Sequence, residues 1–231
     1  MFFLPVLLLF LVFYFFLLGG LFFFIKLGLI SLAFQRLGLP ADLVFTLLLL
    51  CLLGSGLNIP VKRIQSEGLL TEQIVEFFGW KFRVPAAAAS NTTVLAINVG
   101  GAVIPGLLSL YLIWRWASLI LLFAMATFVV TVLVNRVARP VRGLGIATPA
   151  LFPPLVAALT ALLFSSFSPS GFQTAPVIAY VAGTLGTLIG ADLLNLKKIA
   201  ELGAPIASIG GAGTFDGVFL TGIIAVVLTS I

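Results

Sequence analysis

From Phe2 to Ile25 the chain carries no charge and no polar side chain except the Tyr14 hydroxyl. No other feature constrains its fold as strongly. An apolar run of about 24 residues exceeds the roughly 20 that cross the hydrocarbon of a bilayer as a helix. It has no basic segment before it and no small-residue cleavage pattern after it, so it reads as a retained first span. The remainder continues in kind: 61% of residues are hydrophobic and 8% charged. Soluble domains hold about 25% charged residues and use them to clothe their surface. The composition therefore predicts an integral membrane protein that crosses several times, with the lipid bilayer as its first partner.

The predicted architecture is all-α, a transmembrane bundle of about seven spans in one domain over 1–231. The spans fall near 2–25, 41–57, 86–114, 117–134, 149–167, 175–196 and 203–231, with six or eight as alternative counts. Asn98-Val99-Gly100-Gly101 and Pro105 interrupt the third, which predicts a kinked or broken helix. Three glycines from Gly210 to Thr214 predict a re-entrant or unwound stretch over about 205–213, tolerated only where it is buried or lines water. In the polar loop at 58–85, Trp80, Phe82 and Val84 alternate with Lys81 and Arg83, which fits a short β-hairpin as well as an irregular amphipathic loop. Val99-Gly100-Gly101-Ala102 is echoed by Ile209-Gly210-Gly211-Ala212, a faint sign of internal duplication.

Twelve basic residues against seven acidic would suggest nucleic acid in a soluble protein. Here the basic residues flank apolar spans, and no nucleic-acid partner is expected. With seven spans, nine of them fall on the side of the N-terminus and three opposite, which places the N-terminus in the cytoplasm and the C-terminus outside. The chain has no histidine and one cysteine, Cys51. That excludes Cys/His zinc sites, Ser-His and Cys-His nucleophiles and histidine-ligated haem. No metal and no cofactor is expected, and Cys51 reads as a small core residue.

Asp192 and Asp216 are the acids that do not lie in loops or at span ends. An ionisable group in hydrocarbon is expensive to insert and normally faces a cavity with a partner. Counted back from Lys197 and Lys198, Asp192 sits about 7–9 Å below the cytoplasmic surface at 1.5 Å per residue. Three readings follow. Asp192 and Asp216 could form a catalytic pair, one protonated and one ionised, that activates water. They could bind or shuttle a small ion beside a broken helix, with Asn98, Gly100, Gly101, Gly210, Gly211, Gly213 and Thr214 lining the substrate or ion site. Or they could be structural, Asp216 capping the last helix and Asp192 pairing with Lys197 or another span. Gly183, Gly186 and Gly190 recur at helical spacing and read as a close-packing face.

Gly183-Thr184-Leu185-Gly186-Thr187-Leu188-Ile189-Gly190-Ala191-Asp192-Leu193-Leu194-Asn195-Leu196, then Gly203-Ala204-Pro205 and Gly210-Gly211-Ala212-Gly213-Thr214-Phe215-Asp216-Gly217, resemble the prokaryotic membrane proteins called the domain of unknown function 1614 family. Asn58-Ile59-Pro60-Val61 fits the same family, which implies a multi-pass protein of the cytoplasmic membrane. A looser similarity is to presenilin-like intramembrane aspartyl proteases, which carry one aspartate on the sixth helix and another after a Gly-x-Gly on the seventh. The chain departs from that pattern where Thr214 and Phe215 separate Gly213 from Asp216. The expectation taken to the structure is an uncharacterised membrane protein with a paired aspartate site, acting as an intramembrane hydrolase on a transmembrane peptide. The alternatives are an ion- or proton-coupled transporter and a non-catalytic subunit of a membrane complex. The sequence sets no oligomeric state.

Overall fold

The computed structural model describes the backbone of residues 12–20, 35–65, 73–77, 80–84, 92–141, 145–201, 204–211 and 217–230. Residues 12–20 are helical, within the predicted first span. Helix α1 covers Ala41–Gly54 and follows Pro40. Strand β1, Asn58–Gln65, and the hairpin β2–β3, Gln73–Phe77 and Trp80–Val84, come next. Strand β4, Thr92–Asn98, runs through a π turn at Val99–Val103 into α2, Ile104–Arg115. A short 3-10 turn leads into α3, Ile120–Val137, and the small hairpin β5–β6 pairs Arg139–Val141 with Gly145–Ala147. Helix α4 spans Phe152–Ser165. Helix α5, Ala175–Thr187, continues through a second π turn, Leu188–Asp192, into a 3-10 segment, Leu193–Glu201. Strand β7, Ile206–Ile209, and helix α6, Gly217–Ser230, complete the order. Pro153 and Pro154 stand in the first turn of α4, where a missing amide hydrogen leaves no bond unmade.

The protein is thus mostly helical with a small sheet, which corrects the all-α expectation. The sheet orders its strands β1–β4–β7, β1 antiparallel and β7 parallel to β4. Residues 92–98, predicted as the start of the third span, form its middle strand. Residues 206–209, predicted as a re-entrant stretch, form its short third strand. The hairpin predicted in the 58–85 loop is present as 73–77 paired with 80–84, whereas Ile59 pairs with Ile97 of β4 and Val61 is the extra residue at a register shift of β1. Pro60 sits at a register shift of this edge strand, where a strand tolerates an amide it does not have.

Helix α5 is the hub. Every residue from Ala175 to Thr184 is buried, against α2, α3, α4 and α6. Glycines bring these helices close: Gly186 lies against Val130, Gly190 against the Thr131 backbone, and Gly183 between Ala157 and Thr221, the close-packing face read from their spacing. Because Val130 meets Gly186 and Thr131 meets Gly190, α3 and α5 run side by side in the same direction. Around the hub, α2, α3 and α4 each turn one apolar stripe inward and another outward. On α3, Phe123, Ala126, Val130 and Val134 are buried, while Leu121 and Phe128 are each 68% exposed. Along α4, Leu151, Leu155, Leu159, Leu163 and Phe167 repeat every four residues and are all exposed.

Among the described residues, Ala117–Val137 and Gly171–Ile199 are long and apolar enough to cross a membrane. Helices α1 and α4 have 14 residues each, about 21 Å at 1.5 Å per residue, less than the roughly 30 Å of hydrocarbon. Among the described residues two helices, not seven, have the length and composition of a full span.

The close approaches set a stability test. Gly190→Ala should destabilise the fold by about 1–3 kcal/mol, because its new methyl meets the Thr131 carbonyl from the neighbouring helix. Gly106→Ala, which meets nothing within 4 Å, should be neutral or stabilising by up to about 1 kcal/mol. Thermal unfolding of both variants in detergent measures the difference, and equal midpoints would contradict the packing described.

Candidate functional site: a buried crossing of chain breaks

Four interruptions of regular structure meet at one level of the bundle: the end of α1, the junction from β4 into its π turn, the end of β7, and the π turn that prolongs α5. Each leaves backbone groups that a continuous helix would have satisfied, and polar side chains take them up.

At the first junction, Asn98 is fully buried. Its Oδ1 accepts from the Gly101 amide at 2.7 Å and caps the helix that follows. Its Nδ2 donates to the Ser55 carbonyl at 2.6 Å, where α1 has just ended, and to Asn58 Oδ1 at 3.1 Å. The second junction meets the same asparagine, because Ser208 Oγ donates to Asn58 Oδ1 at 2.6 Å. Asn58 therefore joins the ends of all three strands of the sheet. Gly100 presses directly on the Cys51 carbonyl and the Ser55 amide, leaving no room for a Cβ. Gly210 has φ +82, and a Cβ there would stand 2.6 Å from Ala102. Only glycine combines that backbone conformation with so close an approach.

The two Gly-Gly pairs echoed in the sequence thus each follow a strand, on parallel neighbours, and touch across the junction.

Asp192 enters from the third side. A π turn adds a residue to the helical revolution, which sets everything beyond it back by about 100° of rotation. The Leu193 amide accordingly bonds to Leu188 as well as Ile189. The Gly190 carbonyl, opened by this widening, accepts from Asn135 Nδ2 at 2.9 Å and from Asn195 Nδ2 at 3.2 Å. Asn195 also donates to the Ala191 carbonyl at 2.9 Å and receives Lys198 Nζ at 2.8 Å. Held this way, Asp192 turns its Oδ2 to the Gly210 amide, which donates at 2.7 Å. Its partner is backbone; Lys197, the cation proposed for it from sequence, does not pair with it. On the preceding turn Thr187 is 3% exposed, and its hydroxyl has no hydrogen-bond partner among the described residues.

The structure therefore gathers Asn98, Gly100, Gly101, Gly210, Gly211 and Asp192 in one place. Gly213, Thr214 and Asp216 lie outside the described residues. Asn58, Ser208, Asn135 and Asn195 complete the arrangement without being candidate site residues from sequence, although Asn58 and Asn195 lie in stretches that carry the family resemblance. Among the described residues no group of three or more Cys, Asp or Glu side chains could hold a metal ion.

These features define a class: a helical bundle in which a small sheet buries its strand ends, and a carboxylate closes the gap between them. Within that class, the sequence profile described as Protein of unknown function (DUF1614) matches residues 52–228, and the chain belongs to this family. No curated protein and no solved structure matches it. Nothing in these comparisons supports the presenilin-like similarity.

The Gly210 amide makes Asp192 a structural acceptor whatever else it does. Asp192→Ala should lower stability by about 1.5–3 kcal/mol, the range for a bond to a charged group. Asp192→Asn keeps an acceptor oxygen and should lose clearly less. Thermal unfolding of the pair checks this; equal losses would mean the hydrogen bond contributes nothing.

Proposed function

We propose that this is a multi-pass protein of the cytoplasmic membrane whose buried centre binds a small cation or a proton at Asp192, in the manner of an ion-coupled transporter. One observation carries the reading: among the described residues, a part-buried carboxylate at the crossing of interrupted helices is met by a backbone amide and by no basic side chain. A charge neutralised by a fixed partner has no work left to do. One that faces only an amide dipole can gain or release a cation, and interrupted helices are where membrane transporters bind theirs.

The membrane setting is supported by the outward stripes of α3 and α4, since exposed apolar surface on this scale needs a partner. It is supported too by the two helices of spanning length. Arg136, Lys197 and Lys198 lie in the last turn of those two parallel helices, which favours a cytoplasmic location for that end.

The hydrolase reading retains one support. The Asp192 carboxylate reaches Gly210, six residues before Asp216 on the same chain segment.

Proteoliposomes with an internal pH-sensitive dye separate the readings. Under an imposed proton or sodium gradient the wild type should change internal pH, and Asp192→Asn should abolish the change while Gly106→Ala leaves it. Equal signals from protein-free vesicles and wild type would refute the transporter. Cleavage of a transmembrane reporter peptide, lost in both Asp192→Asn and Asp216→Asn, would establish the paired-aspartate hydrolase instead.

A further inference from the structure

Beyond the polar centre, the end of the bundle where α3 and α5 finish together is a distinct layer. Its own small core is Ile199, Ala204 and Ala207, packed with Ile64 of β1, Leu95 of β4, Ile146 of β6 and Leu196. Segments far apart in sequence meet there: the first strand, the β5–β6 hairpin and the 3-10 segment after the second π turn. Each brings cations. Lys62, Arg136, Arg139, Lys197 and Lys198 are all exposed. Among the described residues none of these five is held in an ion pair, and Lys198 donates only to Asn195.

Topology alone would require basic residues on one side of the membrane, without requiring them to converge. Here the segments that carry them meet, and one turn before Lys197 the 3-10 segment exposes apolar side chains: Leu194 is 56% and the neighbouring Leu193 39% exposed. Cations stacked above aliphatic surface match one kind of molecule, a phosphate with hydrocarbon chains below it. Arginine forks bind phosphate oxygens in pairs, lysines add point charge, and the aliphatic side chains meet acyl chains. A free anion would have no use for the leucines. A soluble polyanion would not need them at the edge of the apolar bundle.

We propose that Arg136, Arg139, Lys197 and Lys198, with Lys62 at the rim, form a seat for the phosphate headgroup of an anionic phospholipid whose chains lie along Leu193 and Leu194. The proposal rests on the membrane setting given above and is independent of what Asp192 binds.

The test uses the full chain in nanodiscs of phosphatidylcholine alone or of phosphatidylcholine mixed with phosphatidylglycerol. The phosphatidylglycerol discs should raise the unfolding midpoint, and mass spectrometry of the detergent-released protein should show retained phosphatidylglycerol. The combined variant R136Q/R139Q/K197Q leaves the Lys198–Asn195 bond in place. It should unfold as the wild type does in phosphatidylcholine, lose the increment given by phosphatidylglycerol, and retain about fivefold less of that lipid for each cation removed. Arg36→Gln, outside this layer, should keep the increment. A combined variant with undiminished increment overturns the seat. So does an equal increment from inorganic phosphate added to phosphatidylcholine discs, which would show a free-anion site. A protein that stays monodisperse in buffer without detergent would instead overturn the membrane setting itself.

Discussion

A backbone that leaves the helix inside an apolar bundle must find new partners for its amides and carbonyls, and everything central to this structure follows from where it finds them. Unpaired peptide groups away from water cost several kcal/mol each. Four breaks in separate places would each need a private solution. Meeting at one level, they satisfy one another: Asn98 closes the end of α1 and starts the next helix, Asn58 receives both other strand ends, and Asp192 takes the Gly210 amide. The glycines are consequences of that convergence. Gly100 and Gly210 are where backbone must touch backbone, and no larger residue allows the junctions to share partners.

The second constraint is the hub. A helix apolar on all sides is stable only when surrounded, and α5 is surrounded by α2, α3, α4 and α6. Its rigidity makes the π turn at its end effective. The widened turn opens the Gly190 carbonyl to Asn135 of α3 and Asn195 of its own continuation, so the irregularity is fixed by polar contacts on both flanks. Asp192 is thereby presented from the most deeply packed element of the molecule, and its placement does not depend on a loose loop.

Much of this was legible in the sequence, for identifiable reasons. Long apolar runs announced the helices, the alternation from Trp80 to Val84 announced a hairpin, and Asp192 stood out as a charge within an apolar stretch. The interruption at Asn98 to Gly101 was readable as a break, though not as a change from strand to helix. Thr92 to Ile97 is a short apolar run rich in β-branched residues, and such a run suits a buried strand or a buried helix equally by periodicity. Nothing local forbids reading it as part of the neighbouring span. The partnership of Asn58 with Ser208 was not readable at all: 150 residues separate them, and neither carries a local signal of the other. The echo between the two Gly-Gly segments was visible as letters, whereas its meaning as two strand ends in contact needed the parallel pairing of β4 with β7.

That pairing also dictates an order of assembly. Val94 waits for Ile206, and Thr93 for the Ala204 carbonyl 111 residues downstream. Contacts this distant along the chain form late, after local helices have condensed. During synthesis β4 therefore emerges with one edge exposed and stays so until residues 206–209 have left the ribosome. Over that interval the nascent chain is vulnerable to pairing with the wrong strand, and ribosome stalling or truncation ahead of residue 206 would leave the polar junction without its closing half.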